Sequence, residues 1–491
     1  MKIIKKRSLQ ILAGLLIIYL LLLIPDTSIN DGSVKASQKP FSWNQDSVWR
    51  KLEEDFRKAK QLQPAQLDST INSLKRIAEV NLAAIQEKQL SVTDSNFTFT
   101  ENCFFALAPL IAVKTKELAW YNNYYNEVRN CIKIHSQRWD IQQIDVRTRL
   151  YRLLYGLRIA VEEVLLQNKY VQFPAGMLVK NEASVTPAAK IFGIEVHSGD
   201  LLVSRGGAEV SALISRGNDY PGNFSHVALL YVEEKANEAF LIEAHIEKGV
   251  AVATIDQYEK DKKLRFMVMR PRADLAAMIA DPMLPQKAAK KMYTQALARH
   301  IPYDFKMNYQ DTTALFCSEV ASLAYRENGL QLWPSLSTIS SQGVVNWLSD
   351  FGVENFITQM PSDLEYDPQL AVVAEWRDME TLFKDHIDNA VMDAMLEQAN
   401  SGEKIGYNIW ALPIVRIIKG YCMIKNLFGK TGLIPEGMSA TRALKNEYFV
   451  SMNKSIKSST LKMIDKFIQQ NGYRPPYWQL VQFAGLAASK K

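Results

Sequence analysis

Residues 226–232, 239–244 and 249–252 form three apolar, β-branched runs separated by gaps of only six and four residues. Such gaps cannot hold a helix, so consecutive runs must turn back on one another as antiparallel strands. Asn237-Glu238 supplies tight-turn chemistry between the first two. A further run at 201–203 follows the turn Gly199-Asp200, another covers 265–270, and a last strand is expected at 370–376.

The flanks are patterned differently. Over 48–63, 67–87, 104–136 and 146–167 apolar residues recur at spacings of three and four, as in helices that bury one face. Phe173-Pro174-Ala175-Gly176 ends that block. Helices are expected at 285–298 and 317–327, the latter closed by Asn328-Gly329. The pattern is helical again at 381–398, 409–427 and 460–470, with a loop at 432–437 and a break at Pro475-Pro476. Strands bracketed by helical blocks give an α+β class. The expected division is 1–25 as membrane anchor or signal segment, 26–42 as polar tether, 43–175 as helical domain, 176–378 as catalytic-type domain and 379–491 as C-terminal helical region.

Lys5, Lys6 and Arg7 precede an apolar run over 9–24 that Pro25 ends. A basic flank before an apolar segment directs export. The run reads as an uncleaved anchor with its N-terminus inside. The alternative is a cleaved signal, for which Val34-Lys35-Ala36 is the nearest small-x-small site. Either way the bulk of the chain is expected outside the cytoplasm. With 58 basic and 52 acidic residues the net charge is +6 and mixed along the chain, which gives no reason to expect nucleic-acid binding.

None of the four cysteines has zinc or CxxC spacing. Cys103 and Cys131 read as buried free thiols, although they are also the one sequence-plausible disulfide. Cys422 reads as core. Cys317 differs, because it opens an expected helix after a loop. A helix N-terminus and an adjacent imidazolium both stabilise thiolate and lower its pKa. His226 opens one strand and Glu243 closes the next, so antiparallel pairing brings them together. His226 is then the general base and Glu243 its orienting partner. His245, two residues on, is the alternative third member. The N–H of Cys317 is a candidate oxyanion donor. Ser225 and Tyr303 are candidate substrate-lining residues; Tyr303 equally suits packing under its loop. Asp304 reads as a turn former, His135, His197, His300 and His386 as surface or satisfied polar groups, and Trp120, Tyr121, Tyr124 and Tyr125 as core. No metal or organic cofactor is expected.

The order Gly199-Asp200-Leu201, Ser225-His226, Glu243-Ala244, Tyr303-Asp304, Cys317-Ser318-Glu319 resembles the YiiX/YebB-like branch of the NlpC-type cysteine hydrolases, circularly permuted relatives of papain. The resemblance covers about 180–380, extending through 340–343 and 367–377, with Gln342 where a proline is expected. It implies a permuted papain-like core, with Cys317 as nucleophile, His226 as base and Glu243 as third residue. With the N-terminal segment, this gives a membrane-anchored cell-envelope enzyme cleaving an amide or ester through a thioacyl intermediate, and the resemblance implies cell-wall peptides or lipid-linked acyl groups as substrates. The alternatives are an acyltransferase on the same site, or a non-enzymatic envelope scaffold. The sequon at Asn223 would place a glycan beside His226, which fits a bacterial source better.

Overall fold

The computed structural model describes residues 2–26, 40–41, 47–167, 176–179, 181–234 and 238–490. Most of the tether, the break at 173–175 and the turn residue Asn237 lie outside the described residues.

Seven strands form one antiparallel sheet: β1 (Gly176–Leu178), β2 (Leu201–Gly206), β3 (His226–Val232), β4 (Ala239–His245), β5 (Gly249–Thr254), β6 (Lys263–Pro271) and β7 (Leu370–Arg377). Their order is β1-β7-β6-β2-β3-β4-β5. The three close-spaced runs are neighbours β3, β4 and β5, as their short connections require. The central strands are buried on both faces and read as mainly apolar runs, with charged residues such as Arg205, Glu243 and Arg265 at particular positions. Val203, Val227, Leu229, Ile242 and Met267 belong to a core shared with helix α2 (Cys317–Arg326) and helix Leu284–Ala298. Leu202, Ala228, Leu230, Leu241 and Val268 pack with Ile191, Val196 and Tyr258, which come from a hairpin and a short helix on the opposite face.

The structure is α+β, as the sequence suggests. The hairpin Ala188–Ile191/Ile194–His197, β1 and helix Glu209–Arg216 are not among the elements expected from the sequence. The segment 104–136 is two helices, Ser95–Val113 and Leu118–Ser136. The chain leaves helical geometry at Lys114, whose ammonium pairs with Asp68, while Glu117 pairs with Lys75. The apolar spacing survives this one-turn interruption, so periodicity alone does not reveal it. Likewise 460–470 is the end of helix α5 (Ala440–Asn471), closed by Gly472 in a left-handed conformation. Before it lie helix α3 (Met379–Asn400) and helix α4 (Leu412–Leu427). Ser95–Val113 is long and apolar enough to cross a membrane, but 61% of its window is buried, as in a core helix. The N-terminal run is helix α1 (Lys2–Leu22), which exposes Leu12, Leu15, Leu16, Ile17, Ile18, Leu20 and Leu21.

A buried ionic cluster joins the flanks to the sheet. Glu162, from helix Leu157–Gln167, accepts from Arg158, from Arg265 on β6 and from His386 on α3. Arg265 also pairs with Asp385, which faces Arg205 on β2. All six side chains are buried. His386, expected at the surface or as a satisfied polar group, is a buried member of this cluster. Burial opposes its charge, but Glu162 and Glu163 outweigh that and raise its pKa to about 9.

Candidate active site

Cys317 is the first residue of α2, and Phe316 is its N-cap. Phe316 N–H donates to Glu319 Oε2 at 2.7 Å, so a side chain three residues on satisfies a donor at the helix mouth. Burial raises the Glu319 carboxyl to about 7. This role for Glu319 is not part of the sequence expectations, although an acidic residue at the third helical position is a recognisable signal.

The thiol sits against the start of β3. Sγ donates to the Ser225 carbonyl at 3.6 Å, and main-chain N–H groups of Ser318, Val227 and Cys317 face it. Residues on both sides of His226 therefore line the nucleophile. The sequence predicts a lowered thiol pKa, and the structure differs. Cys317 is 2% exposed, and burial raises its thiol to about 12 despite the three N–H groups. Among the described residues no hydrogen bond joins Sγ to the His226 ring. A sealed thiol without a paired imidazolium stays protonated.

His226 is turned to the next strand. Glu243 lies opposite Ala228 in the β3–β4 register, and so one diagonal step from His226. His226 Nε2 lies 2.8 Å from Glu243 Oε2. His245 Nε2 lies 3.6 Å from Oε1 of the same carboxylate, and the two imidazoles are 5.4 Å apart. Burial opposes the charge on Glu243, but the hydrogen bond from His226 and the His245 imidazole close by hold it well below the usual carboxylate range. Desolvation lowers the His245 pKa, and Glu243 more than offsets this, so the net shift is upward. Glu243 is thus the closer partner of His226, and His245 stands behind it.

These donor atoms all lie within 4.8 Å of one another, a set that suits a divalent cation. Tetrahedral zinc with bonds of about 2.0–2.1 Å holds its ligand atoms about 3.3 Å apart. The His226–Glu243 pair is closer than that, so as arranged it is a hydrogen bond, and a metal would have to spread it.

Ser225 is buried, with its hydroxyl on Ser211. Tyr303 stands edge-on to Phe305 and Phe316, and burial of its hydroxyl pushes its pKa upward. Asp304 turns the chain by accepting from the N–H groups of Lys306 and Asn308. Asp200 pairs with Arg270 through both oxygens at 2.8 Å. Gly199, at φ +92°, passes so close to Pro285 that a Cβ would lie 2.2 Å from its ring. The Gly-Asp-Leu motif therefore locks β2 under helix Leu284–Ala298. Cys103, Cys131 and Cys422 are buried free thiols. Gln342, where a proline was expected, opens helix Gln342–Phe351.

Residues 195–374 match the family model described as permuted papain-like amidase enzyme, YaeF/YiiX, C92 family. A solved structure described as the metalloprotein yiiX from Escherichia coli O157:H7 aligns at 18% identity and a TM-score of 0.30, covering 37% of this chain and 98% of that one. No curated protein matches the chain.

Proposed function

We propose that this chain, in which residues 195–374 form a permuted papain-like amidase domain of the YaeF/YiiX type, is a cysteine hydrolase of a bacterial cell envelope. It is anchored by α1 and cleaves an amide or ester through a thioacyl-enzyme intermediate on Cys317. The carrying observation is that Sγ of Cys317, at a helix N-terminus, lies against the residues flanking His226 while that ring is held by Glu243.

The ionised Glu243 fixes the proton of His226 on Nε2, which leaves Nδ1 as the basic nitrogen. With a thiol at about 12 the chain starts from neutral thiol. Nδ1 takes the thiol proton as sulfur attacks the carbonyl carbon, once substrate has drawn Sγ away from the Ser225 carbonyl. The N–H groups at the start of α2 stabilise the oxyanion. His226 then protonates the leaving group, and water, activated by the same nitrogen, hydrolyses the thioester. Lipid-linked or cell-wall acyl groups are the substrate classes this location would supply.

The test is mass spectrometry of the chain quenched during turnover of an acyl ester. An adduct on Cys317, absent in Cys317→Ser, supports the proposal. Unchanged turnover in Cys317→Ala refutes it.

A further inference from the structure

Helix α4 carries an apolar stripe that faces away from the protein. Trp410, Ile414, Ile417, Tyr421, Ile424 and Phe428 follow one another at steps of three and four, so they share one helix face. All six are exposed: Trp410 is 65% exposed, Ile417 67% and Phe428 76%, and Leu427, next to Phe428 in the chain, reaches 85%. The opposite side of the helix holds Leu412 and Cys422 in the fold. A patch of this size on a soluble surface marks an interaction site.

Charge and position name the occupant. From Lys404 to Pro435 the chain has five basic residues, Lys404, Arg416, Lys419, Lys425 and Lys430, and no acidic one. An apolar stripe with aromatic residues and a purely basic complement is the composition of a helix lying in the interface of an anionic bilayer. The stripe is continuous with α1. Tyr19 Oη donates to the Trp410 carbonyl, and Arg416 donates to the carbonyls of Leu22 and Ile24 and to Asp26. Helix α4 therefore crosses the last turn of α1, where its apolar surface gives way to Pro25 and Asp26. That is the level at which a membrane-inserted α1 would leave the hydrocarbon, and aromatic residues favour it.

We infer that α4 is a second membrane-contacting element, an in-plane helix whose face from Trp410 to Phe428 is buried in the lipid surface of an anionic bilayer. Its depth relative to α1 rests on the anchor reading; its own lipid contact does not. The surface connects to the catalytic rim. Lys419 donates to the carbonyls of Pro435 and Glu436, Gly437 packs on Phe305, and Phe305 touches Tyr303, which borders Phe316 and Cys317. The membrane thus lies at the side of the site where Tyr303 sits.

The full-length chain with a nitroxide on Ile417→Cys or Leu427→Cys, in phosphatidylcholine–phosphatidylglycerol vesicles, tests this. The four native cysteines are buried and spare the label. Collision rates with oxygen and with a water-soluble nickel chelate are compared with those of Ile17→Cys on α1 and Val185→Cys on the exposed surface. The expected result is an oxygen-to-nickel ratio at 417 and 427 several-fold above that at 185. Aqueous ratios at 417 and 427 with a lipid-like ratio at 17 overturn the inference and leave the anchor standing. An aqueous ratio at 17 alone removes the anchor but not the α4 contact. Spin–spin broadening between copies at 427 shows a second copy on the stripe and also overturns it.

Discussion

His226 Nε2 and Glu243 Oε2 stand 2.8 Å apart across β3 and β4, and this one contact decides which nitrogen of the ring can act as base. In Glu243→Gln the amide can donate to Nε2 and move the ring proton to Nδ1. The expected result is a fall in kcat of about 100-fold with KM little changed. His245→Ala, which removes the more distant partner, should cost far less. A larger loss for His245→Ala in steady-state kinetics would reverse the two roles.

Burial raises the Cys317 thiol to about 12, so the resting enzyme holds little thiolate at neutral pH. Alkylation of Cys317 by iodoacetamide should be slow at pH 7 and rise steadily to pH 10 with no plateau. A plateau below pH 8, followed by peptide mass spectrometry, would instead show a preformed ion pair.

His386, raised to about 9 in the fold from an ordinary value near 6.5, binds its proton more tightly folded than unfolded. Its contribution to stability is complete below about pH 6.5 and is lost as pH rises through 9. Urea unfolding at pH 6 and 9 should show wild type losing more stability than His386→Gln, by at most about 3 kcal/mol.

Gly199 combines a left-handed φ with a Cβ position 2.2 Å from Pro285. Gly199→Ala therefore has to move β2 or helix Leu284–Ala298, at a cost of roughly 2–4 kcal/mol, read as a lower Tm.

The donors of His226, Glu243 and His245 cluster closely enough to capture a stray cation. A chelator should leave hydrolysis unchanged, whereas added Zn²⁺ should inhibit by occupying the base. His245→Ala should weaken that inhibition more than it weakens turnover. Loss of activity on chelation, restored by zinc, would make the metal part of the chemistry.

The pairing of His226 with Glu243 was legible in the sequence because it follows from counting along two antiparallel strands. The place of Cys317 at a helix start was legible from the loop before it. The state of its thiol was not, because that depends on how completely residues distant in sequence close over the sulfur. The stripe on α4 shows a similar gap. A spacing of three and four announces a helix with one apolar face, but it does not say whether that face meets protein or lies open. The break at Lys114 was hidden because both helices it separates keep the same spacing.

The charges around Glu162 bear on how this chain can be cut. Arg265 and Arg205 sit within the segment matching the amidase family, but Glu162 and Asp385, which neutralise them, sit outside it on either side. Excising residues 195–374 would remove both counter-ions together with the helices that carry them, and so open the face of the sheet that Arg205 and Arg265 occupy to water. The minimal unit that folds as this enzyme is therefore larger than its recognisable catalytic segment, and truncation libraries should lose soluble protein well before they reach that segment's ends.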